Sequence, residues 1–199
     1  MRQVGSAVVS AVDLLNMPAR VRLARLEPLP ADVGLLLRLA AGDGDADTVA
    51  AALTERPVEF NRRAAAFFIE QILLSPGADS YRILGGSSAT PAEDLRRNMA
   101  LLMRWLHPDI ETSGERSIFV KRVTAAWEDV KTPERRTAYD AACAEAASVK
   151  ATVFKRQNSR RAKAGAQEKQ RIAHLMAPPG VRGLWPRMVA YMMYGWRSR

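Results

Sequence analysis

His107 and Asp109, which flank Pro108, are residue types that could do chemistry together. An imidazole beside a carboxylate can transfer protons as a general acid–base pair, but this work requires a cleft and a further reacting group. The sequence offers no nucleophile at a recognisable spacing from the pair. We therefore predict a polar binding loop at this position, and we expect that the protein is not an enzyme.

Metal chemistry has little support in the composition. The chain has two histidines, His107 and His174, and one cysteine, Cys143, which are too few for a structural zinc site. We predict no metal and no cofactor. The single cysteine also excludes an internal disulfide framework and is typical of a reducing compartment. No stretch approaches the roughly 18 apolar residues of a membrane-spanning helix. We predict a cytoplasmic location, and peripheral membrane contact stays open.

Two amphipathic helices must position the polar loop. In the helix before the loop, apolar residues recur at spacings of four, three and four, which predicts a single buried stripe. This stripe consists of Leu95, Met99, Leu102 and Leu106. Thr90 and Glu93 predict a capping box around Pro91 at the helix start. The helix should end at His107, because a residue that precedes proline disfavours the α conformation.

The helix after the loop carries a matching apolar stripe. Its members are Val120, Val123, Trp127 and Val130. Two antiparallel helices packed along these stripes would bury both of them and leave the His107-Pro108-Asp109 loop exposed at one tip of the hairpin. The pattern therefore predicts a rigid mount for a polar loop.

Five short motifs occur in order between Ser80 and Asp140. They are Tyr81-x-x-Leu84-Gly85, Leu95 twelve residues before His107, His107-Pro108-Asp109, Ala126-Trp127, and Thr132-Pro133-Glu134-Arg135-Arg136-x-x-Tyr139-Asp140. In type and spacing this run resembles the J domain of DnaJ-like co-chaperones. The resemblance covers about 61 of the 199 residues.

The resemblance implies a binding function. In the family, the His-Pro-Asp loop and a basic face of the preceding helix contact a DnaK-type chaperone and stimulate its ATP hydrolysis, in support of protein folding or client delivery. The chaperone-binding residues carried over to this sequence are His107, Pro108, Asp109, Arg96, Arg97 and Arg104. The expected J-domain core consists of Tyr81, Leu84, Leu95, Leu102, Val123, Trp127 and Tyr139.

The sequence departs from the family in the helix before the loop. Positions where the family usually has Lys or Arg are here Ala100, Leu101 and Trp105. Leu101 and Trp105 stand four residues apart and would form an apolar patch outside the hairpin stripe. We hypothesise that this patch is covered, either by helices within Ala31–Leu74 or by the aromatic segment Trp185–Trp196. Burying a Trp and a Leu would contribute on the order of 3–5 kcal/mol.

No strand pattern of period two occurs, so we predict an all-α protein. Composition divides it into four regions: a flexible N-terminal segment over residues 1–30, a helical subdomain over 31–78, a J domain over 79–145, and a basic, partly helical extension over 146–199. Within the second region, Asp45 or Asp47 could cap one helix, and Pro57 could begin another.

The basic charge is concentrated in the last region. Residues 150–199 contain twelve Lys or Arg and one acidic residue, whereas residues 1–149 have a net charge of −2. A solvated charged helix, unspecific binding of nucleic acid, and contact of Val181–Arg199 with an anionic membrane all remain open. The terminus could also fold back on the body. An alternative function follows: a J-like interaction or tethering protein that does not activate a chaperone and binds nucleic acid or an anionic membrane surface through its basic tail.

Overall fold

The computed structural model describes residues 6–107 and 116–176, and every regular element in this part of the chain is helical. The all-α prediction is confirmed. The chain divides into two compact units, Met1–Cys143 and Ala144–Arg199. The first unit therefore contains both the predicted helical subdomain and most of the predicted J domain, and one continuous hydrophobic core runs through it.

The first helix, α1, spans Ser6–Asn16 and belongs to this core. Its buried side consists of Ala7, Val8, Ala11 and Leu14, which share one helical face. A 3₁₀ turn over Pro18–Arg20 and the short helix α2, Val21–Ala24, follow it. The predicted flexible segment over residues 1–30 is therefore instead helical from Ser6, because burial of this apolar face holds it on the other helices.

Three further helices complete an N-terminal layer. They are α3, Val33–Ala40; α4, Gly44–Thr54; and α5, Val58–Phe68, which continues as a π-helical turn over Ile69–Leu73. The cap of α4 is Asp43, whose carboxylate accepts from the N–H groups of Asp45 and Ala46, so the predicted caps Asp45 and Asp47 are wrong. We call α1–α5 with the π turn the N-terminal layer.

The remaining helices of the first unit begin with α6, Ser80–Ile83, and α7, Ala92–Trp105. They continue with α8, Arg116–Val130, and the first turns of α9, which spans Pro133–Met176. No side chain caps α7, because the Thr90 hydroxyl accepts from the Ser87 N–H at 2.9 Å instead. The predicted capping box is therefore wrong.

The long helix α9 has 44 residues and is exposed along its second half wherever its side chains are described. Within residues 6–107 and 116–176, no helix is long and apolar enough to cross a membrane. The aromatic segment Trp185–Trp196 and most of the loop after His107 lie outside the described residues.

Candidate functional site

One face of α7 packs on α8, as the apolar stripes predict. Leu95, Leu102 and Leu106 are buried, and so are Val123 and Val130 across from them. Three stripe members, Met99, Val120 and Trp127, are half-buried. This packing fixes the axis and rotation of α7, and thereby decides which of its remaining side chains can reach a partner.

A second face of α7 packs on α3 of the N-terminal layer. It carries Asn98, Leu101 and Trp105, which are three and seven residues apart and so share a side of the helix. Trp105 is only 4% exposed, and Leu101 is half-buried. A Cβ placed on Gly34 of α3 would lie 3.8 Å from Asn98 Oδ1. Trp105 is therefore covered and Leu101 partly covered, on the side of α7 where Asn98 meets α3.

Close approach between α3 and the turn after α6 depends on Gly85. Its φ of +66° is a conformation that suits glycine, and an added Cβ would stand 2.9 Å from Val33 Cγ1. Asn98 Nδ2 donates to the carbonyl oxygen of Leu84 at 2.9 Å, which ties α7 to the same turn. The Leu84-Gly85 motif thus forms the point where α3, α6 and α7 meet.

The third face of α7 is open to solvent. Arg96, Ala100 and Arg104 follow one another at spacings of four along this face, and Arg97 lies beside them. All four side chains are exposed. Arg97 Nη1 pairs with Asp94 Oδ1 at 3.0 Å, whereas neither Arg96 nor Arg104 forms an ion pair with another described residue. We call Arg96, Arg97, Ala100 and Arg104 the open strip.

The open strip leads directly to the polar loop. His107 is exposed at the end of α7, and its N–H donates to the carbonyl oxygen of Arg104 at 3.3 Å. The predicted partners of His107 in the loop, Pro108 and Asp109, lie outside the described residues. The structure therefore places four of the six predicted chaperone-binding residues on one side of α7 and its end.

The predicted core residues lie together beneath this site. Tyr81, Leu84, Leu95, Leu102 and Val123 are buried, and Trp127 and Tyr139 are half-buried. Tyr81 and Tyr139 meet edge to face, with ring centroids 5.6 Å apart. The Tyr139 hydroxyl accepts from the Ser80 N–H at 2.9 Å, and the Tyr81 hydroxyl donates to Asp140 at 2.7 Å. These contacts hold the first turns of α9 on α6.

Burial raises the pKa of the Tyr81 phenol, and the hydrogen bond to Asp140 raises it further, while Arg136 acts against both. The Arg136 guanidinium lies 5.2 Å from the Tyr81 ring centroid. Burial likewise raises the pKa of Tyr139. Both phenols are therefore neutral at physiological pH and serve as structural hydrogen-bonding groups.

Sequence reasoning missed three arginines that bind carbonyl oxygens at the ends of distant helices. Arg82 donates to Ala24 and Glu27 at 2.9 Å, and Arg25 donates to Gln71 at 2.8 Å. Arg122 of α8 donates to the carbonyl oxygens of Leu74 and Ser75. Carbonyl groups at helix ends lack partners within their own helix. Arg82 and Arg122 therefore join the N-terminal layer to α6 and α8, whereas the bond from Arg25 to Gln71 lies within the layer.

The described residues around α7 form a surface that suits binding of a partner. In the described ranges, no three His, Cys, Asp or Glu side chains come together as a metal would require. What the arrangement provides is a rigid helix with two faces fixed by packing and a third that presents cations beside His107. A surface of this kind suits an acidic protein partner, because complementary charge accelerates and orients association.

Comparison with known proteins gives a partial relationship. The chain is 36% identical over 63 residues to proteins called curved DNA-binding protein from three strains of Coxiella burnetii. Proteins of that name belong to the DnaJ family of J-domain proteins. The match covers 32% of this chain and 20% of the relatives, so the chain spans about a fifth of their length. No family model matches the chain, and no solved structure matches it.

Proposed function

We propose that this protein is a J-domain co-chaperone that binds a DnaK-type chaperone and stimulates its ATP hydrolysis. The observation that carries the proposal is the open strip: its four side chains are exposed, whereas the other two faces of α7 pack on described helices, and it carries cations that lead to His107. The partial relationship to DnaJ-family proteins supports it. In this proposal the chain contributes binding and its partner contributes the chemistry.

The proposed mechanism needs differential affinity. A protein that docks equally well on two states of a chaperone shifts nothing, whereas one that prefers the hydrolysis-competent state increases its population. Arg96 and Arg104 would steer the chaperone's acidic surface toward α7 through long-range attraction. His107, Pro108 and Asp109 would then make the short-range contacts that distinguish the two states.

The rigidity of the mount supports this division of labour. Trp105 is buried two residues before His107, and Leu102 and Leu106 are buried in the same turn. A contact loop mounted on a fixed helix end loses little conformational entropy on binding. The end of α7 that carries His107 is therefore fixed in place before the partner arrives.

Single-turnover ATP hydrolysis by a DnaK-type chaperone tests the proposal. We expect the parent protein to accelerate hydrolysis and the His107→Gln variant to lose this effect while keeping the parent's unfolding curve. Arg63→Gln, which removes an exposed cation from α5, is the matched control and should stimulate like the parent. If the folded parent fails to accelerate its own organism's chaperone, the proposal is wrong, and the tethering alternative takes its place.

A further inference from the structure

The second half of α9 is strongly cationic. Residues 150–176 contain eight Lys or Arg and a single acidic residue, Glu168, which gives a net charge of +7 with histidine neutral. Residues 1–149 together have a net charge of −2. The positive charge of the described part of the chain is therefore concentrated on one stretch of one helix.

These cations are spread around the helix axis. Lys155, Arg156, Arg161 and Lys169 are all exposed. With 3.6 residues per turn, the last three lie at about 100°, 240° and 320° around the axis from Lys155. A helix that binds a flat anionic surface needs its cations on one side. This helix presents them on every side.

The apolar side chains that the structure describes on α9 form no continuous stripe. The exposed large apolar residues described on α9 are Val149, at 56%, and Phe154, at 63%. They are about 140° apart around the axis. A helix that lies in a membrane surface buries one continuous apolar face, and a helix that packs on a protein does the same. The described side chains of α9 provide neither arrangement.

We propose that residues 150–176 of α9 bind in the major groove of B-form DNA. That groove is about 12 Å wide, accepts an α-helix, and has phosphates along both walls. Cations on all sides of the helix would face both walls at once. The stretch is about 40 Å long at 1.5 Å per residue, which is ample to cross the groove. This binding goes beyond the co-chaperone activity proposed for α7.

The same geometry selects among nucleic acids. The major groove of A-form RNA is deep and narrow, so side chains on an α-helix cannot enter it in the same way. Asn158 and Gln167 are exposed between the cations of α9. Amide side chains can bond base edges in a major groove, although phosphate contacts would supply most of the affinity. Duplex DNA is therefore the expected ligand.

Fluorescence anisotropy with the full chain tests this proposal, with a DNA duplex and an RNA duplex of the same sequence as probes. The test variant changes Lys155, Arg156, Arg161 and Lys169 to Gln. Its matched control removes four exposed cations from the first unit by changing Arg20, Arg22, Arg63 and Lys121 to Gln. Both variants lose the same net charge, so only the position of the cations differs between them.

We expect the parent to bind the DNA duplex about tenfold more tightly than the RNA duplex. The test variant should bind DNA at least about tenfold more weakly, and its plot of log affinity against log salt should be shallower by up to about 3.6, because each phosphate contact contributes about 0.9. The control variant should bind DNA like the parent. The test variant should still stimulate the chaperone's ATPase, which separates this proposal from the co-chaperone proposal.

Three results would overturn the groove assignment. The first is equal affinity for DNA and RNA duplexes, which would show diffuse attraction to any polyanion. The second is DNA binding by the test variant that equals the parent's. The third is that the parent does not bind DNA but binds phosphatidylserine vesicles, which would indicate that the helix binds a membrane surface.

Discussion

Gly85 and Val33 approach so closely that a Cβ on the glycine would stand 2.9 Å from Val33 Cγ1. Gly85 also has a φ of +66°, so Gly85→Ala combines backbone strain with a clash. Gly77→Ala is the matched control, since Gly77 has a φ of +84° and nothing within 4 Å. We expect a loss of about 1–3 kcal/mol for the control from strain alone. Gly85→Ala should lose at least about 1 kcal/mol more in urea unfolding. Equal losses would show that α3 yields to the new side chain.

The N-terminal layer should be required for a stable hairpin. A fragment that begins at Asp79 would expose Trp105 and Leu101 and would remove the carbonyl partners of Arg82. We expect it to lose at least about 3–5 kcal/mol from the lost apolar burial, enough to abolish a cooperative thermal transition. A fragment that melts cooperatively at the parent's temperature would contradict the packing of α3 on α7.

Lysine substitutions on two different faces of α7 should have different effects on the free energy of unfolding. Trp105→Lys places a cation in a buried site and should cost about 3–5 kcal/mol, measured by denaturant unfolding. Ala100→Lys adds the same charge to the open strip and should leave stability within about 0.5 kcal/mol. The exposed variant should also bind an acidic chaperone surface more tightly at low salt. A stable Trp105→Lys protein would show that this face is not held against the layer.

The two adjacent arginines of the open strip should contribute unequally to association. Arg97 Nη1 forms an ion pair with Asp94 Oδ1 at 3.0 Å, whereas Arg96 forms no ion pair with another described residue. Arg96→Gln should therefore slow chaperone binding more than Arg97→Gln, and the difference should shrink as salt is added. Stopped-flow association rates at two ionic strengths measure this. If both variants associated as fast as the parent, the open strip would not belong to the docking surface.

The buried phenol of Tyr81 should make stability fall in alkali. Its pKa is raised above 10.0 by burial and then by the bond to Asp140, so the folded state keeps the proton to higher pH than the unfolded state does. The stabilisation is fully present below about pH 10 and is lost as pH rises through the folded-state pKa. Unfolding of Tyr81→Phe should depend less steeply on pH above 10 than that of the parent. Parallel curves would show that Tyr81 does not contribute.

Local patterns predicted the hairpin well, because helical periodicity reports which side of α7 meets α8. The Leu95–Leu102 stripe is buried as its spacing indicates. The contacts that join the layer to the hairpin were not predicted, since they connect residues far apart in the chain. Arg82 reaches back 58 positions to Ala24, and Arg122 reaches back 47 positions to Ser75. No periodicity encodes such pairs. The Leu101–Trp105 pair still indicated a covered face, because a Leu and a Trp four residues apart form an apolar patch outside the hairpin stripe.

The bond from Arg122 to the end of the π turn has a consequence for biosynthesis. The N-terminal layer is translated first, yet the carbonyl oxygens of Leu74 and Ser75 receive this guanidinium only after α8 has been made. Domains generally fold as units while the ribosome delivers them. The layer therefore leaves the ribosome before the partner of its last turn exists, and these two carbonyl oxygens can receive the guanidinium only once α8 has been made.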